Sequence, residues 1–200
     1  MTVKIGINGF GRIGRMVLRS IIESNRKDID VVAINNKAKS EVSSFLLNHD
    51  TVHGKLNVDL NYSDELLEIN GKKIAMIHET EISKIDWGKH KIDVVLECTG
   101  KFNTKEKSAL HIKSGVKKVL VSAPCKGAIN IVFGINHKIL KKNDQVISAA
   151  SCTTNCLAPV AFVMNKEFKI EKGFMTTIHS YTSDQRLLDN SHKDIRRARS

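Results

Sequence analysis

The sequence predicts an α/β fold, a doubly wound and mostly parallel sheet, followed by the start of an α+β domain. Through residues 1–150, short apolar runs of strand length alternate with segments of helical periodicity. Such alternation is typical of a parallel sheet with helices on both faces. The alternation then stops, and residues 151–200 offer one long helical pattern and one strand pattern, too little to close a second core.

The N-terminal residues predict the first βαβ unit. The run "VKIGIN" at 3–8 is short, apolar and rich in branched side chains, as a buried strand is. A helix at 12–24 and a second strand, "IDVVAIN" at 29–35, complete a unit of about 30 residues. The helix should present one apolar stripe formed by Ile13, Val17, Leu18, Ile21 and Ile22.

A helix and a hairpin are predicted next. The segment "SEVSSFLLN" at 40–48 has a helical pattern, with Ser40 as its expected N-cap. Within 65–77, Asn70-Gly71 separates two alternating runs, which predicts a type I′ turn.

The strand pattern returns in the rest of the chain. Four branched apolar runs predict further strands of the sheet, with a helix between the first two. Beyond them, a long apolar stretch containing Pro159 predicts a helix, and a strand and a polar tail follow. The predicted ranges are 92–98, 117–123, 129–135 and 144–150 for the strands of the sheet, 103–115 and 152–168 for the helices, 173–182 for the last strand and 183–200 for the tail.

Composition and charge exclude several classes of protein. Hydrophobic residues make up 41% of the chain, and no run approaches the roughly 20 apolar residues of a membrane span. Met1 leads directly into a strand-like segment rather than a secretory leader, so we expect a soluble, cytoplasmic protein. The net charge of +11 would suit nucleic acid or an anionic substrate, but we favour a solvated surface because the lysines are spread throughout. The "RRAR" at 196–199 is the dense exception.

Three glycines form the first chemical motif. Gly9, Gly11 and Gly14 make a G-x-G-x-x-G string that follows a strand and opens an apolar-striped helix, the context of a dinucleotide-binding turn. In such a turn the first glycine permits the tight bend, the second lets the backbone approach a pyrophosphate, and the third allows close packing of helix on strand. The backbone N–H groups of Arg12 and Ile13 would then point at the phosphates.

The cysteines supply the second motif. Cys98, Cys125, Cys152 and Cys156 lack the spacing of a disulfide scaffold, and without further Cys or His at zinc-finger spacing we expect no metal. Cys152 stands where a strand gives way to a helix, and a helix N-terminus can lower the pKa of a thiol. His179 ends a strand pattern and is a candidate base for that thiol, although a structural histidine is the alternative.

Four stretches of the sequence resemble one enzyme family. They are "INGFGRIGR", "ASCTTNCLAPV", "MTTIHSYTSDQRLLD" and "HKDIRRAR". In residues, order and spacing they resemble the phosphorylating glyceraldehyde-3-phosphate dehydrogenases of bacterial or organellar type. The resemblance implies a Rossmann-type NAD(P)-binding domain over 1–150. It also implies that 151–200 is the incomplete N-terminal part of the catalytic domain, with an S-loop-like segment.

The resemblance also implies a glycolytic or gluconeogenic reaction. Cys152 would attack the aldehyde of D-glyceraldehyde 3-phosphate to form a hemithioacetal, and His179 would take the hydroxyl proton as hydride leaves for the nicotinamide. Inorganic phosphate would then capture the thioester and release 1,3-bisphosphoglycerate. The phosphorylated aldehyde and phosphate are therefore the expected partners, and the family's homotetramer the expected assembly.

Further site residues follow from positions that match the family. Arg12 and Ile13 are assigned to the pyrophosphate and Thr80 to the neighbourhood of the adenine, whereas Cys98 and Cys156 are expected to be packed rather than reactive. The resemblance places Thr99, Gly100, Phe102, Ser122 and Ala123 along the nucleotide cleft, and Ser151, Thr153, Thr182 and Arg197 in two anion sites for the phosphates.

Residue 36 bears on the choice between NAD and NADP. Most relatives have an aspartate there, which would bond both ribose hydroxyls of NAD and repel a 2′-phosphate; Asn36 removes that repulsion, and Lys37 could attract the phosphate. Ser191 matches a serine of NADP-using relatives, in a loop that reaches a neighbouring subunit. The alternative is that Asn36 still bonds the ribose and Lys37 faces solvent. We favour NADP-tolerant over strictly NAD-specific use.

Other functional hypotheses remain open at this point. An erythrose-4-phosphate dehydrogenase would share the nucleophile and cofactor motifs, but Thr182 between Tyr181 and Ser183 favours the triose enzyme. A non-catalytic nucleotide- or RNA-binding role would suit the basic charge, but the intact Cys152 and His179 argue against it. Because the family's chains are longer, we expect a fragment that is inactive by itself.

Overall fold

The computed structural model describes residues 2–200, which contain eleven strands, four α-helices and five short 3-10 helices. The strands and α-helices, in chain order, are β1 (Val3–Asn8), α1 (Arg12–Glu23), β2 (Ile29–Asn35), α2 (Ser40–Asn48), β3 (His49–Asp50), β4 (Gly54–Lys55), β5 (Leu60–Ser63), β6 (Leu66–Ile69), β7 (Lys72–Ile77), β8 (Val94–Glu97), α3 (Lys105–Ser108), β9 (Lys118–Val121), β10 (Ile129–Asn130), β11 (Val146–Ser148) and α4 (Cys152–Phe168). The 3-10 helices span Ile82–Lys84, Gly88–His90, Ala109–Ser114, His137–Ile139 and Ile195–Arg197.

Nine of the strands form one sheet in the order β10-β11-β9-β8-β1-β2-β7-β6-β5. Every neighbouring pair from β10 to β7 is parallel, and β7, β6 and β5 form an antiparallel edge. The chain builds outward from β1 to β2 and later returns to place β8 on the other side of β1. This reversal creates a crevice beyond the carboxyl ends of the strands, where such sheets bind ligands. The predicted fold class is confirmed.

Apolar clusters cover both faces of this sheet. Successive residues of a strand point to opposite faces, so Ala33 and Ile34 belong to different clusters. Leu18 of α1 packs beside Ile34, whereas Trp87 packs beside Ala33. The predicted stripe on α1 is therefore confirmed at Leu18, but Ile13 at the start of the helix is 50% exposed because it lies at the rim of an open apolar groove.

The hairpin prediction is confirmed in detail. Ile69 and Lys72 are paired at the ends of β6 and β7, with only Asn70 and Gly71 between them. Both turn residues have positive φ, 51° and 77°, which a type I′ turn requires.

The helix predicted at 103–115 is only partly confirmed. It is α-helical over Lys105–Ser108 and continues as a 3-10 helix over Ala109–Ser114. The tighter second part carries His111, whose ring is buried and contacts Glu97 of β8. The buried hydrogen bonds of His111 accompany this change from α-helical to 3-10 geometry.

The predicted cap of α2 is wrong. Ser40 is the first residue of the helix rather than its N-cap, which is Lys39. The Ser40 hydroxyl instead donates to the carbonyl of Asp64, 2.7 Å away, in the turn between β5 and β6. A tertiary hydrogen bond has replaced the local one.

Two predicted strands are shorter or absent. The strand predicted at 129–135 pairs only over Ile129–Asn130, because Asn136 then bonds the carbonyl of Asn130 and the N–H of Val132 and bends the chain into a turn. No strand forms over 173–182, because none of the strands in residues 2–200 pairs with this segment.

The chain divides into two units, and each is described by itself. The first ends at Phe162 and the second spans Val163–Ser200. Helix α4, predicted at 152–168 and found there with Pro159 inside it, crosses this division, so the domain boundary at residue 150 stays a prediction. Within residues 2–200, no helix is long and apolar enough to cross a membrane.

Gly14 should be essential to the packing of α1 on β1. A Cβ at this position would lie 2.2 Å from the Gly9 carbonyl oxygen, so the backbone would have to shift. We expect Gly14→Ala to lower the free energy of unfolding of the full-length protein by about 2 to 3 kcal/mol in urea titrations. Gly11→Ala is the matched control, because its Cβ would meet no atom within 4 Å, and its cost should stay below about 1 kcal/mol. Equal losses in the two variants would contradict this packing.

Candidate functional site

A cleft lies at the carboxyl ends of β1, β2, β7 and β8, at the point where the strand order reverses. It has a volume of about 270 Å³. Seven residues assigned to the cofactor from sequence line it, namely Gly9, Gly11, Asn36, Lys37, Thr80, Thr99 and Phe102. Seven others were not predicted, namely Asn8, Asn35, Glu79, Ile82, Ile85, Cys98 and Lys101. In the sequence, several of these residues could have been identified as part of the cleft by their position at or just after the end of a predicted strand.

The glycine turn has the geometry that dinucleotide binding requires. Gly9 has φ of +92°, and a Cβ there would lie 2.8 Å from the backbone nitrogen of Thr99. Gly11 faces open space, so a ligand can approach its backbone. Gly14 contacts the Gly9 carbonyl and serves the packing of helix on strand rather than the cleft lining.

The side chain of Arg12 is engaged away from the cleft. Its guanidinium forms a two-pronged contact with Asp50, at 2.7 and 3.3 Å. The Arg12 hydrogen bond, with backbone donors from His53 and Val52, holds the pKa of the Asp50 carboxyl well below its ordinary value. Arg12 and Ile13 are outside the cleft lining, so the pyrophosphate role of their backbone N–H groups stays a prediction.

Three further residues assigned to the cofactor lie beside the cleft rather than in its lining. Gly100 follows Thr99 with φ of 70°. The Ser122 N–H donates to the Glu97 carbonyl, and the Ala123 carbonyl accepts from the hydroxyl of Ser148. Ser122 and Ala123 therefore continue the same sheet edge beyond β9, toward the start of α4.

A buried hydrogen-bond network forms the floor of the cleft. Asn8 donates to a carboxylate oxygen of Glu97 at 2.6 Å and accepts from Asn35 at 2.8 Å. Asn35 in turn exchanges hydrogen bonds with the backbone of Glu79, and Thr99 donates its N–H and its hydroxyl to the second Glu97 oxygen. The network thus joins the ends of β1, β2, β7 and β8, four consecutive strands of the sheet.

Two more buried side chains, His111 and Trp87, extend this network from Glu97. His111 Nε2 lies 3.0 Å from the Glu97 oxygen that Asn8 also contacts, and the Trp87 indole N–H donates to His111 Nδ1 at 2.9 Å. All three side chains are buried. The sequence signal for this cluster was the acidic residue inside the otherwise apolar run "VVLEC".

The start of α4 holds the candidate nucleophile. The chain leaves β11 through Ala150, which is non-glycine with φ of 59°, a conformation that clusters at functional sites. Ser151 then caps the helix by accepting from the Thr154 N–H at 3.0 Å, and Asn155 donates to the Ser151 carbonyl. Cys152 is thereby the first residue of the helix, and its side chain is exposed.

The other cysteines differ in accessibility. Burial raises the pKa of Cys98 to about 11, and burial also raises the pKa of Cys125. Both are therefore poor nucleophiles at neutral pH. Cys156 was expected to be buried, and this was wrong: it is exposed, because no layer of the first unit covers that part of α4.

The remaining predicted site residues are in α4 and in the second unit. Thr153 is half-buried in the first turn of α4, and His179, Thr182, Ser191 and Arg197 belong to the second unit. Each of these four has a local polar contact. His179 contacts the Ser180 carbonyl, and the Thr182 N–H donates to Gln185. The Ser191 carbonyl accepts from Arg186, and Arg197 forms an ion pair with Asp184. Within residues 2–200, no group of three or more His, Cys, Asp or Glu side chains is arranged to hold a metal.

Comparisons with known proteins match both parts of the chain. Residues 3–105 match the family model of the glyceraldehyde 3-phosphate dehydrogenase NAD-binding domain, and residues 151–200 match that of its C-terminal domain. Over 200 residues the chain is 50% identical to glyceraldehyde-3-phosphate dehydrogenase of Cereibacter sphaeroides, covering all of this chain and 60% of that protein. It is 48% identical to that of Geobacillus stearothermophilus, covering all of this chain and 59% of the relative. The chain thus spans about three fifths of the length of these relatives.

The Arg12–Asp50 pair should shape acid stability. Because the folded pKa of Asp50 lies below its ordinary value of 3.8, its contribution is complete above that value and is lost as pH falls through the folded pKa. We therefore expect Asp50→Asn in the full-length protein to flatten the decline in free energy of unfolding below about pH 4. Arg12→Gln should flatten it partly, since the backbone donors to Asp50 remain. Urea titrations across this pH range measure the slope; identical slopes in all three proteins would refute the assignment.

Proposed function

Because the chain belongs to the glyceraldehyde-3-phosphate dehydrogenase family, we propose that the protein containing it oxidises and phosphorylates D-glyceraldehyde 3-phosphate, with NAD(P) as hydride acceptor. The observation that supports this most is the position of Cys152, an exposed thiol at the first residue of α4. Strands β11, β9, β8 and β1 are parallel, so the residue that follows β11 and the dinucleotide cleft lie at the same edge of the sheet.

The residues of the cleft fit a dinucleotide. Gly11 leaves the space that a Cβ would fill, and the glycine turn opens onto the N-terminus of the twelve-residue helix α1, whose first N–H groups favour phosphate. Phe102 and Ile82 offer an apolar wall for a ring. When bound, the nicotinamide supplies a hydride acceptor; the remaining chemistry belongs to the side chains of the chain.

We assign the covalent step to Cys152. Its sulfur, as thiolate, forms a bond to the aldehyde carbon, and the resulting alkoxide takes a proton from protonated His179 to give a hemithioacetal. His179 accepts that hydroxyl proton as hydride leaves the same carbon, which leaves a thioester on the sulfur. A phosphate oxygen then attacks the thioester carbon, the C–S bond breaks, and 1,3-bisphosphoglycerate and the thiolate are released.

The phosphate groups need positive or hydrogen-bonding partners. We assign Ser151, Thr153, Thr182 and Arg197 to the two anion sites, because hydroxyls and a guanidinium suit phosphate oxygens. The Ser151 hydroxyl also accepts from the Thr154 N–H and so holds the start of α4 in place. A homotetramer in the cytoplasm, as expected from sequence, is part of the same proposal; the exposed Cys156 thiol suits a reducing compartment.

Replacement of Cys152 should abolish the reaction. We expect Cys152→Ser in the full-length protein to lower kcat by at least about a thousandfold, and His179→Asn to lower it by about a hundredfold or more. Cys156→Ser, one helical turn away on the same exposed face, is the matched control and should retain activity. The measurement is NADH formation from glyceraldehyde 3-phosphate with and without inorganic phosphate.

Two results would contradict this assignment. If Cys152→Ser is as active as Cys156→Ser, then Cys152 is not the nucleophile. Full turnover without inorganic phosphate would exclude phosphorolysis and point to the erythrose-4-phosphate type of enzyme, an alternative that the names of the relatives do not favour.

NADP use is the finer part of the proposal. The amide of Asn36 donates to the Ser43 hydroxyl at 3.1 Å, which turns its carbonyl oxygen the other way, available to a ribose hydroxyl. Lys37 is exposed and lines the same cleft. An uncharged acceptor beside an ammonium tolerates a 2′-phosphate, whereas a carboxylate at position 36 would repel it. Ser191 would contribute from a neighbouring subunit.

The ratio of kcat/KM for NADP to that for NAD tests this specificity. We expect Asn36→Asp to lower the ratio by about tenfold or more, since it restores the repulsion of the 2′-phosphate. Lys37→Gln should lower this ratio by lowering kcat/KM for NADP. Lys39→Gln is the control, because Lys39 does not line the cleft, and it should leave the ratio unchanged. If the unmodified protein rejects NADP as strongly as the Asn36→Asp variant does, NADP tolerance is wrong.

A further inference from the structure

The buried side chains beneath the cleft have a fixed direction of hydrogen bonding. An indole N–H can only donate, so the Trp87 contact at 2.9 Å makes His111 Nδ1 an acceptor without a proton. The proton of this imidazole is then on Nε2, which donates to Glu97 at 3.0 Å. Trp87 therefore determines the tautomer of His111, and that tautomer requires a hydrogen-bond acceptor at position 97.

The two oxygens of Glu97 accept hydrogen bonds from the two neighbouring turns that follow β1 and β8 and line the cleft. One accepts from Asn8, which precedes the Gly9 turn, and from His111; the other accepts from the N–H and the hydroxyl of Thr99. The two turns are also closely packed, since a Cβ on Gly9 would lie only 2.8 Å from Thr99. A shift of either turn is therefore transmitted to the other through the carboxylate and through this contact.

Only a carboxylate satisfies all four donors. An amide of the same shape would turn its NH₂ group either toward Asn8 and His111 or toward Thr99, and each choice sets donor against donor. A buried donor left without a partner is destabilising, and this penalty is relieved if the turns move apart. The cofactor would then have to restore the closed arrangement, which lowers its apparent affinity.

We propose that Glu97 is a positioning residue that sets the affinity of the cleft for its dinucleotide without touching it, a role that rests on the dinucleotide-dependent activity proposed above. Glu97 is 1% exposed and does not line the cleft, whereas Gly9 and Thr99, the turns it holds, do. His111, oriented by Trp87, keeps the carboxylate in place. The effect should therefore appear in NAD binding and not in the handling of the aldehyde or phosphate.

Glu97→Gln in the full-length protein tests this role, with Glu65→Gln as the matched control on the exposed turn before β6. We expect Glu97→Gln to raise the Kd for NAD by about tenfold by calorimetry, and KM for NAD with it. At saturating NAD, kcat and the KM for glyceraldehyde 3-phosphate should stay within about twofold of the unmodified protein. Glu65→Gln should change none of these quantities.

A pair of variants at His111 tests the same role if Glu97→Gln fails to fold. His111→Gln can keep a donor to Glu97 from its amide, whereas His111→Leu has similar bulk and no donor. We expect the leucine variant to weaken NAD binding by about threefold to tenfold and the glutamine variant to recover most of the affinity.

Three results would overturn the inference. These are an unchanged Kd for NAD in Glu97→Gln, equal NAD affinity in the two His111 variants, and parallel rises in KM for NAD and for the aldehyde, which would indicate a general structural defect. Failure of the unmodified full-length protein to bind NAD would instead overturn the proposed function, and this inference with it.

Discussion

The Glu97 carboxylate lies at the carboxyl end of β8, fully buried in the middle of the sheet. An unpaired carboxylate in such a place would be prohibitively costly, so its position requires hydrogen-bond donors on every side. Asn8, His111 and Thr99 provide four of them. Since these donors come from three separate segments, the charge constrains how the ends of those segments meet.

That constraint shapes the lining of the cleft. The strand order alone opens a crevice between β1 and β8, but it leaves the conformation of the following turns undetermined. The buried network restricts the conformation of these turns, because it extends from Glu97 through Asn8 and Asn35 to the backbone of Glu79. The same residues that satisfy a buried charge thus hold the Gly9 turn, the turn to which we assign the pyrophosphate in our proposal.

Much of the fold could be predicted because its signals are local. The glycine string, the Asn70-Gly71 turn and the alternation of patterns each report a nearby backbone requirement, and the fold class is confirmed by the observed sheet. The Ser40 cap and the strand at 173–182 were wrong because tertiary hydrogen bonds or missing strand partners decided them. The Glu97 network escaped prediction for the same reason, since His111 and Trp87 are far from Asn8 in the sequence.

The tautomer of His111 tests most directly whether this network exists as described. The nitrogen-15 chemical shifts of its ring, measured near neutral pH in the full-length protein and assigned with a His111→Gln variant, distinguish a protonated Nε2 from a protonated Nδ1. The account predicts a neutral ring with the proton on Nε2, because Trp87 donates to Nδ1. A proton on Nδ1, alone or together with one on Nε2, would contradict it.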